Sequence, residues 1–366
     1  MNPNKRNLSL DLIRIFALFC TISVHFFLNT DFYSQTNFTN IMYLHSFLAS
    51  FFIICVPLFL ILTGYLMSSK KFESFRISNI KKTICIYIIS SIFCIVYRVI
   101  FKYETFKFSQ VISSILNYEA AKYSWYIEMY IGLFLFMPFL NTIYQNLKNK
   151  KQKQYLIFIM LLTTCLPNLI NYIDLTSNDF FSIEKTFMYL PDYWIELFPI
   201  TYYFIGAYIR EFNVKINKLF NILLTIITTF TSCTFNLCLS EKKLYLFSSL
   251  NSYNSIFVLL ISILVFVFIL NININKVGTK ISKFIGNISD ICLGGYLLSY
   301  IFDDYFYYEL NKKISIYDDK LKYFFIIVPL IFVSSLLLSY ITNFIYNILN
   351  FLCYKIYNSL HKIQNK

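Results

Sequence analysis

Two ionisable side chains, Arg14 and His25, lie with ten residues between them inside one apolar run from Leu8 to Leu28. In a helix, eleven steps of about 100° return to within roughly 20° of the starting face, so both project from one stripe, about 16 Å apart along it. Asp11, one turn before Arg14, lies near the same stripe. Ionisable groups in a membrane helix are costly unless they face protein or water, so they point to function. A histidine in a dry site suits general-base chemistry, and an arginine suits the holding of an anion. The plainer alternative has Arg14 snorkelling to the headgroups and His25 hydrogen-bonded in the interior.

The elements that must position this pair are membrane helices. Of 366 residues, 57% are hydrophobic and only 14% charged, against about a quarter charged in soluble domains. The expectation is an all-α fold: a polytopic membrane helical bundle of about ten transmembrane helices with both termini cytoplasmic. The spans are read at 8–29, 44–68, 83–101, 124–144, 155–173, 193–209, 219–239, 254–272, 284–303 and 321–345. Most lysines and arginines then fall in the cytoplasmic loops, and the first external loop, 30–43, holds none. The net charge of +13 is scattered over short loops, which offers no surface for nucleic acid. The first apolar segment is too long and too charged for a cleaved signal peptide. Residues 1–350 form one integral-membrane domain in this reading, and 351–366 a short basic cytoplasmic tail.

With the N-terminus inside, the first helix runs outward and His25 lies in its outer half. The fourth span opens at the outer surface, so Glu128 reaches a comparable depth and is the candidate carboxylate for orienting His25. The other histidines, His45 and His361, sit at an external interface and in the tail. Nine cysteines are dispersed without a CxxC pair, and no metal centre is expected. No GxSxG elbow, P-loop or GxGxxG is present. At the inner mouth of the first three helices, Arg14, Arg76, Lys81 and Lys82 would cluster, where they could bind phosphates; the plainer alternative for Arg76, Lys81 and Lys82 is ordinary topology signalling. Coenzyme A carries such phosphates on a long arm, and 16 Å is about the reach needed to bring a thioester from Arg14 to His25.

These features together resemble the membrane acyltransferase-3 family. Its LDxLR-like opening, with a histidine beyond the arginine, is matched by Leu10, Asp11, Leu12, Ile13, Arg14 and His25. Its FFxxSGYL pattern is similar to Pro57 through Leu66, PLFLILTGYL. Its WYL-type helix entry is similar to Trp125-Tyr126-Ile127-Glu128, with Pro138 further along. Its late S-x-G-x-YLxH pattern is similar to DICLGGYLLS, Asp290 to Ser299. The chain departs from the family in two places. The arginine-rich turn opening the third helix is here Asn79-Ile80-Lys81-Lys82, and the late-span histidine is Ser299.

The resemblance implies an O-acetyltransferase that uses cytoplasmic acetyl-CoA, or another acyl-CoA, and no metal. The acceptor would be a hydroxyl of a cell-envelope polysaccharide or lipid-linked sugar, in the cell membrane of a bacterium and among its lipids. His25 would act as base and Arg14 as donor-binding residue. Tyr65, Trp125, Tyr126, Tyr296 and Ser299 would line the substrate cavity. Acceptor contacts would come from outer loops 102–123, 174–192 and 304–320, with Asp303, Asp304, Asp318 and Asp319 either binding sugar hydroxyls or forming a solvated face. A second class stays open at this point: a transporter exporting a lipid-linked saccharide, with Arg14 and His25 lining its path.

Overall fold

The computed structural model describes residues 6–34, 40–76, 78, 80–176, 187–239, 251–272 and 277–364. The described residues fold as helices without a β-strand: α1 (Leu8–Asn29), α2 (Asn40–Phe52), α3 (Cys55–Met67), α4 (Lys81–Phe101), α5 (Phe108–Leu116), α6 (Trp125–Asn146), α7 (Lys150–Thr164), α8 (Pro167–Ile170), α9 (Phe198–Phe212), α10 (Lys218–Leu239), α11 (Ile256–Leu270), α12 (Thr279–Lys313), α13 (Tyr317–Lys320) and α14 (Phe324–Gln364). Helix α14 runs on through residue 350, so the segment read as a tail begins inside it.

Helix α1 is the centre of the bundle. Asn7 caps it by accepting from the Ser9 amide at 3.0 Å. Most of its residues are buried, polar ones such as Asp11 and His25 included, and it packs against α2, α3, α11, α12 and α14. Helices α2 and α3 are one span, Ile41–Met67, interrupted at Ile53 and Ile54. Pro57 has no amide hydrogen for the Ile53 carbonyl, which the Cys55 thiol approaches instead at 3.7 Å.

Eight helical segments are long and apolar enough to cross a membrane among the described residues. The windows read at 193–209 and 254–272 resolve into α9 and α11, of 15 residues each, or about 22 Å. Helix α9 is short because a 3-10 turn, Ile195–Leu197, precedes it and Asn213 ends it in the left-handed conformation (φ 46°). Both nonetheless run beside span-length neighbours. Helix α9 is antiparallel to α7, with Lys153 against Glu211 and Thr164 against Thr201. Helix α11 is antiparallel to α10, with Asn221 against Leu264 and Phe235 against Phe257. Their faces are covered by protein, so neither needs the full apolar length that contact with lipid demands.

Helices α3 and α9 cross at glycines. A Cβ on Gly64 would collide with the Tyr203 carbonyl, and one on Gly206 with the Ile61 carbonyl and the Tyr65 amide. Only glycine allows the two backbones this approach.

Candidate functional site

Helices α1 and α12 run parallel and are tied along their length. At one end Arg6 donates to both oxygens of Asp11 (Nε 2.6 Å, Nη2 2.9 Å), to both oxygens of Asp290 (2.9 Å each) and to the Gly286 carbonyl (2.8 Å). These bonds, to Asp11 first and then Asp290, hold the Arg6 guanidinium above even its usual pKa. Arg14 donates to Ser289 Oγ at 2.6 Å and stands 3.6 Å from Asp11. Further along, Asn311 donates to the Asn29 carbonyl at 2.9 Å.

Between these ties lies a buried dyad. His25 Nδ1 meets Asp303 Oδ2 at 2.7 Å, and Asp303 is wholly buried. A carboxylate only accepts, so the nitrogen facing it carries the hydrogen and Nε2 keeps the lone pair a base requires. Tyr123 stacks on the imidazole, with ring centroids 3.7 Å apart and planes at 23°. Asn29 Nδ2 donates to the His25 carbonyl at 2.7 Å and to the Tyr123 hydroxyl at 3.3 Å. The Tyr296 hydroxyl donates to the Tyr123 carbonyl. Buried beside the dyad, Asp303 Oδ1 and the Tyr307 hydroxyl meet no hydrogen-bond partner among the described residues.

A cavity of about 210 Å³ opens from Arg14 along the same helices, lined by Thr21, Phe59, Tyr126, Tyr130 and Tyr296 among others. Tyr126 sits edge-on to Tyr296 at 5.8 Å and stacks on Tyr130 at 6.3 Å. On α1 the cavity runs from Arg14 to Thr21, and His25 lies one turn beyond, about 6 Å further. An anion-holding group thus lines the cavity, and the base lies one turn of α1 beyond its lining. Over residues 7–344 the chain matches the acyltransferase-3 family model, whose description is an acyltransferase domain. This chain belongs to the acyltransferase-3 family. No curated protein and no solved structure matches it.

Family membership decides for acyl transfer over export. In this acyltransferase the carboxylate on His25 is Asp303, and the expected pairing with Glu128 is wrong. Glu128 occupies the first turn of α6 but is exposed, while Tyr126 and Ile127 take the inward positions. Depth along a helix can be read from sequence; the azimuth of one helix against another cannot. Glu128→Ala should therefore keep acyl transfer within about two-fold of wild type, and a larger loss in thiol release would return Glu128 to the site.

Other expected residues also fall elsewhere. Tyr65 lies under the Arg210 guanidinium (5.9 Å) and beside Phe266 (5.8 Å), outside the cavity. Trp125 is exposed and stacks on Tyr253 at 5.7 Å. Ser299 is buried and donates to the Tyr296 carbonyl at 2.8 Å, which stitches the helix rather than facing the cavity. Arg76 is exposed. Lys82 lies 5.9 Å over the Tyr346 ring of α14 and stands within electrostatic reach of Asp290, as Arg14 does, while Lys81 lines a groove with Asn347 and Asn350.

The outer segment read as loop 304–320 is mostly helix, since α12 continues to Lys313. Asp303 is thus interior rather than solvated, and Asp304 binds the Tyr97 hydroxyl and Lys102, each at 2.7 Å. Within the loop 174–192, residues 177–186 lie outside the described residues. Sequence reasoning named Asp303 only as a sugar-binding or solvated acid and missed its pairing with His25, and it missed Tyr123 and Tyr130. Two acids at 303 and 304, set within the run YIFDDYFYY, were the available signal for the first.

Proposed function

We propose that this acyltransferase moves an acetyl group from cytoplasmic acetyl-CoA to a hydroxyl of a cell-envelope polysaccharide or lipid-linked sugar, at the cell membrane of a bacterium. The observation that carries the reading is the His25–Asp303 dyad one turn beyond a cavity that begins at Arg14. His25 Nε2 takes the proton of the acceptor hydroxyl as its oxygen attacks the thioester carbonyl. The C–S bond breaks, the acyl group stays on the acceptor oxygen, and the coenzyme thiolate leaves and takes the proton back from His25. Asp303 holds the ring in the required tautomer and stabilises the imidazolium between those steps. Arg14 holds the anionic donor or polarises its thioester. A cavity of about 210 Å³ lies below the range of roughly 300–1,000 Å³ of pockets for drug-sized ligands, which suits a slim arm and a short acyl group.

The test is release of free coenzyme A from acetyl-CoA by purified protein in lipid nanodiscs, with and without a crude envelope glycan extract. His25→Ala alone would strand a buried carboxylate and so threaten the fold. The His25→Ala/Asp303→Asn double variant removes both charges and controls for that. Wild type should release thiol in the presence of acceptor, and both variants should lose roughly 10²–10⁴-fold. Arg14→Ala should recover at high donor concentration. A folded wild type that frees no thiol, or a folded His25→Ala variant that keeps its rate, would sink the proposal.

A further inference from the structure

The glycine crossing of α3 and α9 sets the last turn of α9 on the last turn of α3. There Arg210 Nη1 donates to the carbonyls of Tyr65 (2.8 Å) and Leu66 (3.1 Å). Leu66 and Met67 line the cavity that begins at Arg14. The next residues, Ser68 and Ser69, line a second hollow of about 460 Å³ together with Gln145, Lys153, Arg210 and Glu211. The two spaces flank one short stretch of chain, the first mainly apolar in its lining and the second polar.

The second hollow has the electrostatics of an anion site. Arg210 is exposed and lines the hollow, and among the described residues its Nε and Nη2 make no hydrogen bond. Its acid, Glu211, is already matched by Lys153, whose Nζ donates to both carboxylate oxygens at 2.6 and 2.8 Å. Lys70, Lys71, Lys148, Lys150 and Lys151 are all exposed on the adjoining segments. At about 460 Å³ the hollow is within the roughly 300–1,000 Å³ of small-molecule sites.

We propose that this hollow holds the phosphate-bearing nucleotide head of the acyl donor, with Arg210 as its anion fork, while the adjoining apolar cavity takes the arm and thioester. The assignment rests on the donor proposed above and adds the place where its charged end is bound. Arg210 is a binding residue here and touches none of the reacting atoms.

The test compares two thioesters that share an arm and differ in the head: acetyl-CoA and S-acetylpantetheine, which carries no phosphate. In phosphatidylcholine nanodiscs, Arg210→Gln should raise KM for acetyl-CoA by about ten-fold or more, leave kcat in place, and leave KM for S-acetylpantetheine unchanged. Ser69→Asp, which puts a negative charge in the hollow and leaves the α3 carbonyl bonds intact, should split the two donors in the same direction. If both donors lose equally, Arg210 only caps α3 and the site is wrong. If neither loses, the hollow binds no donor and the site is wrong. A loss confined to nanodiscs containing phosphatidylglycerol, and equal for both donors, would assign the hollow to a lipid headgroup and overturn the proposal. Wild type that frees no thiol from either donor would overturn the proposed function and this site with it.

Discussion

Asp303→Asn is expected to lower kcat for acyl transfer by roughly 10²–10⁴-fold with little change in KM for the donor. Asparagine keeps the shape and the capacity to accept, but it supplies no charge to the imidazolium formed when His25 takes a proton. Its amide can also rotate an N–H toward Nδ1 and so favour the tautomer in which Nε2 holds the hydrogen, which leaves no base. Because Asp303 is fully buried and its other oxygen lacks a partner, loss of the charge should cost the fold little. The measurement is thiol release against donor concentration, with the thermal midpoint as a check on folding. A rate within three-fold of wild type in a stable variant would show that the dyad is architectural and that His25 does its work unaided. Asp303→Glu separates the two contributions: charge is kept, and the longer arm must shift the ring, so part of the activity should return.

The second large effect is on assembly of the bundle. Gly206→Ala should destabilise the protein by about 3 kcal/mol or more, at or beyond the upper end of ordinary overpacking. The added methyl would press on the Ile61 carbonyl and Tyr65 amide, which are backbone atoms in a neighbouring helix and cannot turn aside. Gly64→Ala meets the Tyr203 carbonyl in the same way. Gly132 in α6 is the control, since a Cβ there meets nothing within 4 Å. Its change to alanine should be neutral or should add up to about 1 kcal/mol through the unfolded chain. Thermal midpoints and monodispersity in detergent would report all three. A Gly206→Ala protein as stable as the Gly132→Ala protein would mean that α3 and α9 can part without cost, and the α3 wall of the cavity at Arg14 would be less fixed than the glycines imply.

What the sequence disclosed, and what it hid, follows from the dimension each residue depends on. Arg14 and His25 stand out because ionisable groups in an apolar run are rare, and their spacing along one helix fixes their relation without reference to any other element. Tyr126 and Tyr296, singled out through motif resemblance, both line the cavity that begins at Arg14. The partner of His25 depends instead on how α1 is turned against α6 and α12, and no single-chain periodicity carries that angle. Asp303 was hidden for a second reason. The apolar stretch of the ninth span is interrupted by two acids at 303 and 304, yet α12 continues for ten further residues to Lys313. Lys81 and Lys82 show the same limit at the surface: their charge and approximate depth were legible, while the face they occupy was not.

The parallel run of α1 against α12 has a mechanical meaning. Bonds at Arg6, Arg14, His25 and Asn29 hold one register from end to end, over about 35 Å of helix. A slip by a single turn would break all of them at once, so the two helices travel as one post, and any opening that admits substrate must come from the surrounding helices. Arg14 and His25 sit on that post. Their separation, about 16 Å, is set by the helix they share, which makes α1 a ruler whose length stays the same while the surrounding helices move.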